Sequence, residues 1–402
     1  MAMSRATRVN LLIGSGHFLS HFYMLCLPPL FLAWAPEFGA SFAELGLTVA
    51  LMSGITAILQ TPVGFLVDRY GARPFLVGGA LLMSLSLAAM GFASSFWQIL
   101  GLATLSGIGN SVIHPADYAI LSGSVAKDRM GRSFAFHTFS GNLGFSAGPP
   151  VMALLLGVIG WRTSLLLVGL LGVPVVIAIL LQSSILSGQA RHETKQVSPP
   201  LSGRELLLSR TMLLFFAFFL LGSMAGSGVQ SWLITVLHRV RGMTLEIAAS
   251  ALTGHMVGSA CGVLVGGWFS DRYNRHVLGF AVSLTIVSAT LMLVVALVPV
   301  SNFAVIAAIF ASGLALGASR TPRDVMLRDA APIGQIGKVF GFVSAGLPLG
   351  SALTPVPFGF LIDQGRPELI LVLVAALLLA SLLCVGTAYA RAPDQPRTAP
   401  AE

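Results

Sequence analysis

The chain has 402 residues, 55% apolar and only 9% charged, with a mean hydropathy of +0.86 and a formal net charge of +8. Average soluble domains are about 25% charged, so this composition excludes a soluble enzyme or binding module and describes a protein dissolved in lipid. The basic residues stand in short breaks between apolar runs and form no patch or aromatic-interleaved stripe, which excludes nucleic acid as a partner.

A membrane-spanning helix needs about 20 mainly apolar residues. Twelve such stretches can be laid along the chain, at 9–33, 43–67, 74–94, 97–124, 131–157, 162–182, 210–237, 246–270, 276–298, 302–328, 336–362 and 367–390. The first runs longer than the apolar core of a signal peptide and holds two histidines, so it reads as a retained span. His17 and His21 lie four residues apart and share a helix face. Ionisable groups inside a bilayer are costly and mark function by default, and a histidine changes charge near neutral pH. The pair is therefore a candidate proton site or substrate contact; the alternative is two neutral rings bonded to neighbouring helices.

The second span runs into Gly64, Asp68, Arg69, Gly71 and Arg73. The fourth carries His114 and Asp117, three apart on one face with Pro115 between them, a candidate protonation couple. The alternative is a structural contact near the inner mouth. The fifth carries His137 and Asn142, then Gly141, Gly144, Gly148 and Pro149 within GNLGFSAGPP. Small residues allow close helix approach and proline bends a span, which suits a helix sliding against another bundle or one that simply packs.

After the sixth span comes the longest break, 183–209, with charged residues and a Pro199-Pro200 pair, read as a cytoplasmic linker between an N-terminal bundle, 1–182, and a C-terminal bundle, 210–390. Residues 391–402 read as a disordered tail. Gln230 in the seventh span and His255 in the eighth are single polar groups, each a cavity candidate or a helix-to-helix contact. Arg320, Arg323, Asp324 and Arg328 on the tenth form the one strongly basic cluster able to reach into the bundle, where arginine suits a carboxylate or phosphonate. The bland alternative has Arg320 and Arg328 serve the inner surface while Arg323 pairs with Asp324 or Asp117.

A repeat of about 205 residues supports the division into halves. GFLVDRYGARP at 64–74 answers GWFSDRYNRHV at 267–277, so Asp271, Arg272 and Arg275 repeat the charged turn, with Asn274 where the first copy has glycine and a left-handed turn expected there. Gly131, Phe134, Gly144 and Pro149 answer Gly337, Phe340, Gly350 and Pro355, and Pro115-Ala116-Asp117 answers Pro322-Arg323-Asp324. With both ends placed in the cytoplasm, 19 of the 23 Lys and Arg lie inside, and only Arg162, Arg239, Arg241 and Arg366 lie outside. The expectation is a multi-pass protein of a bacterial inner membrane.

These motifs resemble the major facilitator superfamily over nearly the whole chain. The resemblance implies an all-α fold of twelve spans in two pseudo-symmetric six-helix bundles, working by alternating access. It implies that Gly64, Asp68, Arg69, Gly71, Arg73, Asp271, Arg272 and Arg275 form a latch that joins the halves when the inner side is closed. The Gly-Pro run of the fifth span is similar to that of proton-coupled exporters, and GIGNSVIHP with GNLGFSAGP is similar to the fosmidomycin-resistance branch. Ala72 departs from the basic residue usual there.

No nucleotide-binding loop, metal-ligand spacing or nucleophile-base set is present along the sequence, so the reading has no cofactor, no metal and no enzyme activity. Cys26, Cys261 and Cys384 fall in apolar runs without pairing spacing. The first functional reading is a proton-coupled exporter of a small organic molecule, monomeric, with protons, solute and lipid as its partners. The second is a proton-coupled importer of a small organic anion that meets Arg323. The third is a membrane receptor or regulator that moves nothing.

Overall fold

The computed structural model describes residues 3–126, 129–186, 209–330 and 336–389; the expected tail, 391–402, and most of the expected linker lie outside them. The described residues are helical, with no strand among them.

Helix α1 spans Arg5–Phe38, capped by the Ser4 side chain and bent at Pro28-Pro29. Helix α2, Phe42–Tyr70, opens on a capping box in which Ser41 and Glu44 satisfy each other's end of the turn. It stops at Gly71, whose φ of 87° a side chain would strain, and α3 follows at Ala72–Met90. Helix α4, Phe96–Ser124, breaks step at Val112, just ahead of Pro115.

The next apolar segment, Phe136–Leu181, has 46 residues. As one straight helix it would be roughly 69 Å long, about twice the hydrocarbon thickness. Gly160, at φ 72° and ψ 165°, reverses the chain and makes two crossings, α5 at 130–159 and α6 at 161–181. The eleven long apolar segments therefore contain the twelve expected crossings.

The second set begins with α7, Arg210–Arg241, capped by Ser209 and ended by Gly242 in the left-handed region. Helix α8, Leu245–Arg272, is capped by Thr244; α9 is Val277–Leu297 and α10 is Asn302–Ala330. Helix α11 runs in three segments over 336–363, and α12 is Glu368–Tyr389. The left-handed turn expected at Asn274 is not formed. Tyr273 leads into a 3-10 turn, Asn274–His276, so no positive φ is required there.

Each set packs mostly on itself, α1 on α5 and α2 on α4 in the first, α8 on α10 and α7 on α12 in the second. The α8/α10 seam is backbone on backbone: a Cβ at Gly317 would fall on the Ser259 carbonyl, and one at Gly262 on that of Leu314. Close packing of small residues replaces the hydrophobic drive that lipid does not supply. The two sets meet through α2 with α11, α5 with α8, and the Pro28–Leu30 turn with α7.

Candidate functional site

Four imidazoles and one carboxylate converge inside the first set. His17 is 3% and Asp117 0% exposed, and His137 is equally buried. His137 on α5 donates through Nε2 to Asp117 Oδ2 on α4 at 2.9 Å. Its ring stacks on His17 with centroids 3.6 Å apart, and its backbone oxygen accepts from His17 Nδ1 at 2.7 Å. His21 and His114 close the group, with centroids 4.3 and 5.0 Å from His17.

Of the expected couples, His17 with His21 is brought together as the shared helix face required. Asp117 turns to His137 and not to His114, whose Nδ1 has no partner. His17 Nε2, His21 Nδ1 and Asp117 Oδ1 are also buried without hydrogen bonds. Gly141 makes room for the rings, because a Cβ there would stand 2.5 Å from His17 Cε1 and 2.8 Å from His21 Nδ1. Gly144 and Gly148 seat α5 against the Phe18 and Phe22 carbonyls of α1. The glycine face thus packs inside its own bundle, whereas α5 approaches α8 near Gly157 and Glu246.

The second set carries different chemistry. Arg323 on α10 pairs with Asp324, Nε to Oδ1 at 2.9 Å, and lies 4.1 Å over the Phe219 ring of α7. Arg320, one turn earlier, is half-buried and has no hydrogen-bond or ion-pair partner among the described residues. His255 bonds through Nδ1 to the Ile309 carbonyl at 3.2 Å and so ties α8 to α10. Gln230 reaches only the Met256 sulfur at 4.0 Å, and Asn142 bonds back to Thr138 in its own helix.

At the end that the charge count assigns to the cytoplasm, Arg69, Asp271, Arg272 and Arg275 are exposed. Arg69 lies over Tyr70, and Arg73 donates to the Leu186 carbonyl, just past the end of the first bundle. The side chain of Asp68 lies outside the described residues. No hydrogen bond among the described residues joins the halves at that end.

The opposite end is joined. Asp363, at the end of α11, accepts from the Phe42 and Ala43 amides at 2.7 and 2.8 Å, capping the start of α2 in the other half. A carboxylate at a helix start meets free amides and the positive end of the dipole. Gly359 lets the helices touch, since a Cβ there would fall on the Phe42 carbonyl. Trp232 of α7 packs between Phe31 and Phe42, and Arg239 stands over the Phe42 ring.

Asp363 escaped the sequence reading, although a signal was present: GFLID at 359–363 repeats GFLVD at 64–68. The copy was hidden because it lies at the far end of an eleventh span and not in a turn between inner helix ends. Arg320, read from the sequence either as a contact for an anionic solute or as a charge at the inner surface, has no hydrogen-bond or ion-pair partner among the described residues.

The family model described as Major Facilitator Superfamily matches residues 13–254 and again 242–402. The Fosmidomycin resistance protein of Escherichia coli is 26% identical over 91% of this chain and 90% of its own length. The 4-hydroxybenzoate transporter PcaK of Pseudomonas aeruginosa is 27% identical over 61% of each chain, so this chain matches about three fifths of that relative. Among solved structures, a bacterial homolog to the human lysosomal transporter Spinster, inward-facing and occupied, superposes with a TM-score of 0.81 at 15% identity over the whole of both chains.

Proposed function

The chain belongs to the Major Facilitator Superfamily and carries small solutes by alternating access; on that premise we propose that it is a proton-linked carrier of a small organic anion. The observation that carries this reading is Arg320, a half-buried guanidinium in a membrane helix that has no hydrogen-bond or ion-pair partner among the described residues and feels Asp324 only at longer range, one turn from the paired Arg323. A charge held inside a bundle is costly unless it is compensated, so an open arginine invites an anion. A carboxylate, sulfonate or phosphonate meets the two-pronged geometry of the guanidinium. The likeness to a 4-hydroxybenzoate transporter supports the same solute class.

Asp324, 47% exposed, holds Arg323, and a solute anion competes with it for that second guanidinium. On this reading proton and anion travel together, inward under an inward proton gradient. The cap by Asp363 holds one end shut, while among the described residues the other end shows no such tie, and breaking the cap is the step that exposes the site to the opposite face.

A second reading, proton-driven export, is favoured by the full-length likeness to a resistance protein. Counterflow of labelled aromatic carboxylates and alkyl phosphonates in proteoliposomes with an imposed pH gradient separates the two. Anion accumulation in inside-alkaline vesicles supports co-movement with protons, and accumulation in inside-acidic vesicles supports exchange. No flux of any anion in either gradient contradicts the proposal.

A further inference from the structure

The histidine cluster of the first set plays no part in the anion reading, and its geometry points elsewhere. One ring nitrogen from each of His17, His21 and His114 lies within 4.8 Å of the other two. His17 Nδ1 lies 2.7 Å from the His137 carbonyl oxygen, which only accepts, so Nδ1 carries the hydrogen. In the neutral ring Nε2 is then a bare lone pair, and it is buried without a partner. The Nδ1 atoms of His21 and His114 are likewise buried and unbonded. Each of the three clustered rings thus holds one buried nitrogen that has no hydrogen bond.

We propose that His17, His21 and His114 form a binding site for a single divalent transition-metal ion of the zinc class. Three nitrogens bound to one tetrahedral ion at the usual distance stand roughly 3.4 Å apart, so each ring needs to move inward by less than about 1 Å. The surroundings are already those of a metal ligand: the far nitrogen of His17 donates to a backbone carbonyl, which fixes its tautomer and orientation. Asp117, anchored by His137 through one oxygen, keeps its other oxygen unbonded beside the cluster. Gly141 leaves the space in which the His17 and His21 rings stand. The ion would tie α1 to α4, two helices that no side-chain hydrogen bond joins among the described residues. None of these residues belongs to the Arg320–Arg323 group, so the metal site and the anion site are tested separately.

The test is a titration of the full chain, purified without a polyhistidine tag, with cobalt(II) alone and then with zinc(II). The expected result is one saturating equivalent of cobalt, with the strong visible absorption of a four-coordinate, nitrogen-ligated ion, bleached by zinc, together with a rise in the melting temperature. In His21→Ala and in His114→Ala the affinity falls at least about 100-fold. It is unchanged in His238→Ala, a histidine far along α7 whose Nδ1 bonds to Met243. Should an alanine variant fail to fold, His21→Gln and His114→Gln carry the same test. Absence of saturable cobalt binding to the unaltered chain, or binding of unchanged affinity in the His21 and His114 variants, overturns the proposal.

Discussion

Asp117 and Asp324 stand at matching places of the two halves, each on the fourth helix of its set and each two residues after a proline. Asp117 is sealed from solvent and held by a histidine, whereas Asp324 is half-exposed and held by an arginine. Where the first half places His114 and His137, the repeat places Thr321 and Val343 in the second. One backbone plan therefore carries two different interiors, a cluster of imidazoles in the first half and two arginines with an aspartate in the second. Duplication fixes where helices stand; the side chains facing inward remain free to diverge, because either set is compatible with the same seams.

Breaking the arginine side has the largest expected effect. Arg320→Gln is expected to lower anion counterflow by about 100-fold or more, corresponding to roughly 3 kcal/mol of lost charge pairing. Arg320→Lys restores only part, because a point charge replaces a fork. Equal flux in all three proteins would remove Arg320 from the site.

The packing seams offer the next comparison. Gly317→Val pushes a side chain into the Ser259 carbonyl and is expected to cost about 1–3 kcal/mol, read as a lowered melting temperature in detergent. A melting temperature within a degree of the parent would show that α8 and α10 are not held backbone to backbone.

Among the described residues the two ends of the molecule differ as the two halves do, one tied across the halves by Asp363 and the other showing no such hydrogen bond. Asp363→Ala removes two charge-assisted hydrogen bonds between halves and is expected to shift the balance of open forms by about tenfold, from roughly 1–2 kcal/mol. Cysteine accessibility from each face, or spin-label distances across α2 and α11, reads the shift. Asp68→Asn is expected to move the same balance the opposite way. Movement in the same direction in both variants would contradict the pairing of the two GFL-x-Asp segments. The smallest effect is expected at the exposed Arg328–Asp329 pair, where Asp329→Ala changes stability by less than about 1 kcal/mol.

The spans, the repeat and the charged turns were legible because they depend on local length and spacing: about 20 apolar residues make a crossing whatever surrounds them. The shared face of His17 and His21 was legible for the same reason, being a matter of helical period. The pairing of Asp117 with His137 was not. It depends on how α4 and α5 are rotated about their axes, which sequence separation does not encode. The direction of the α5 glycine face was hidden by the same freedom, since small residues serve either neighbour equally well. Asp363 was legible in principle, as a third copy of the glycine and aspartate spacing, yet its partner is a pair of backbone amides, which no residue pattern announces.

That the two interiors hold ligands of opposite charge is tested most directly by the position of a bound anion. A cryo-electron microscopy structure of the chain in lipid nanodiscs, saturated with 4-hydroxybenzoate or a short alkyl phosphonate, is expected to show density within hydrogen-bonding distance of the Arg320 guanidinium. Density seated against His17, His21 and His114, with Arg320 bare, would contradict it.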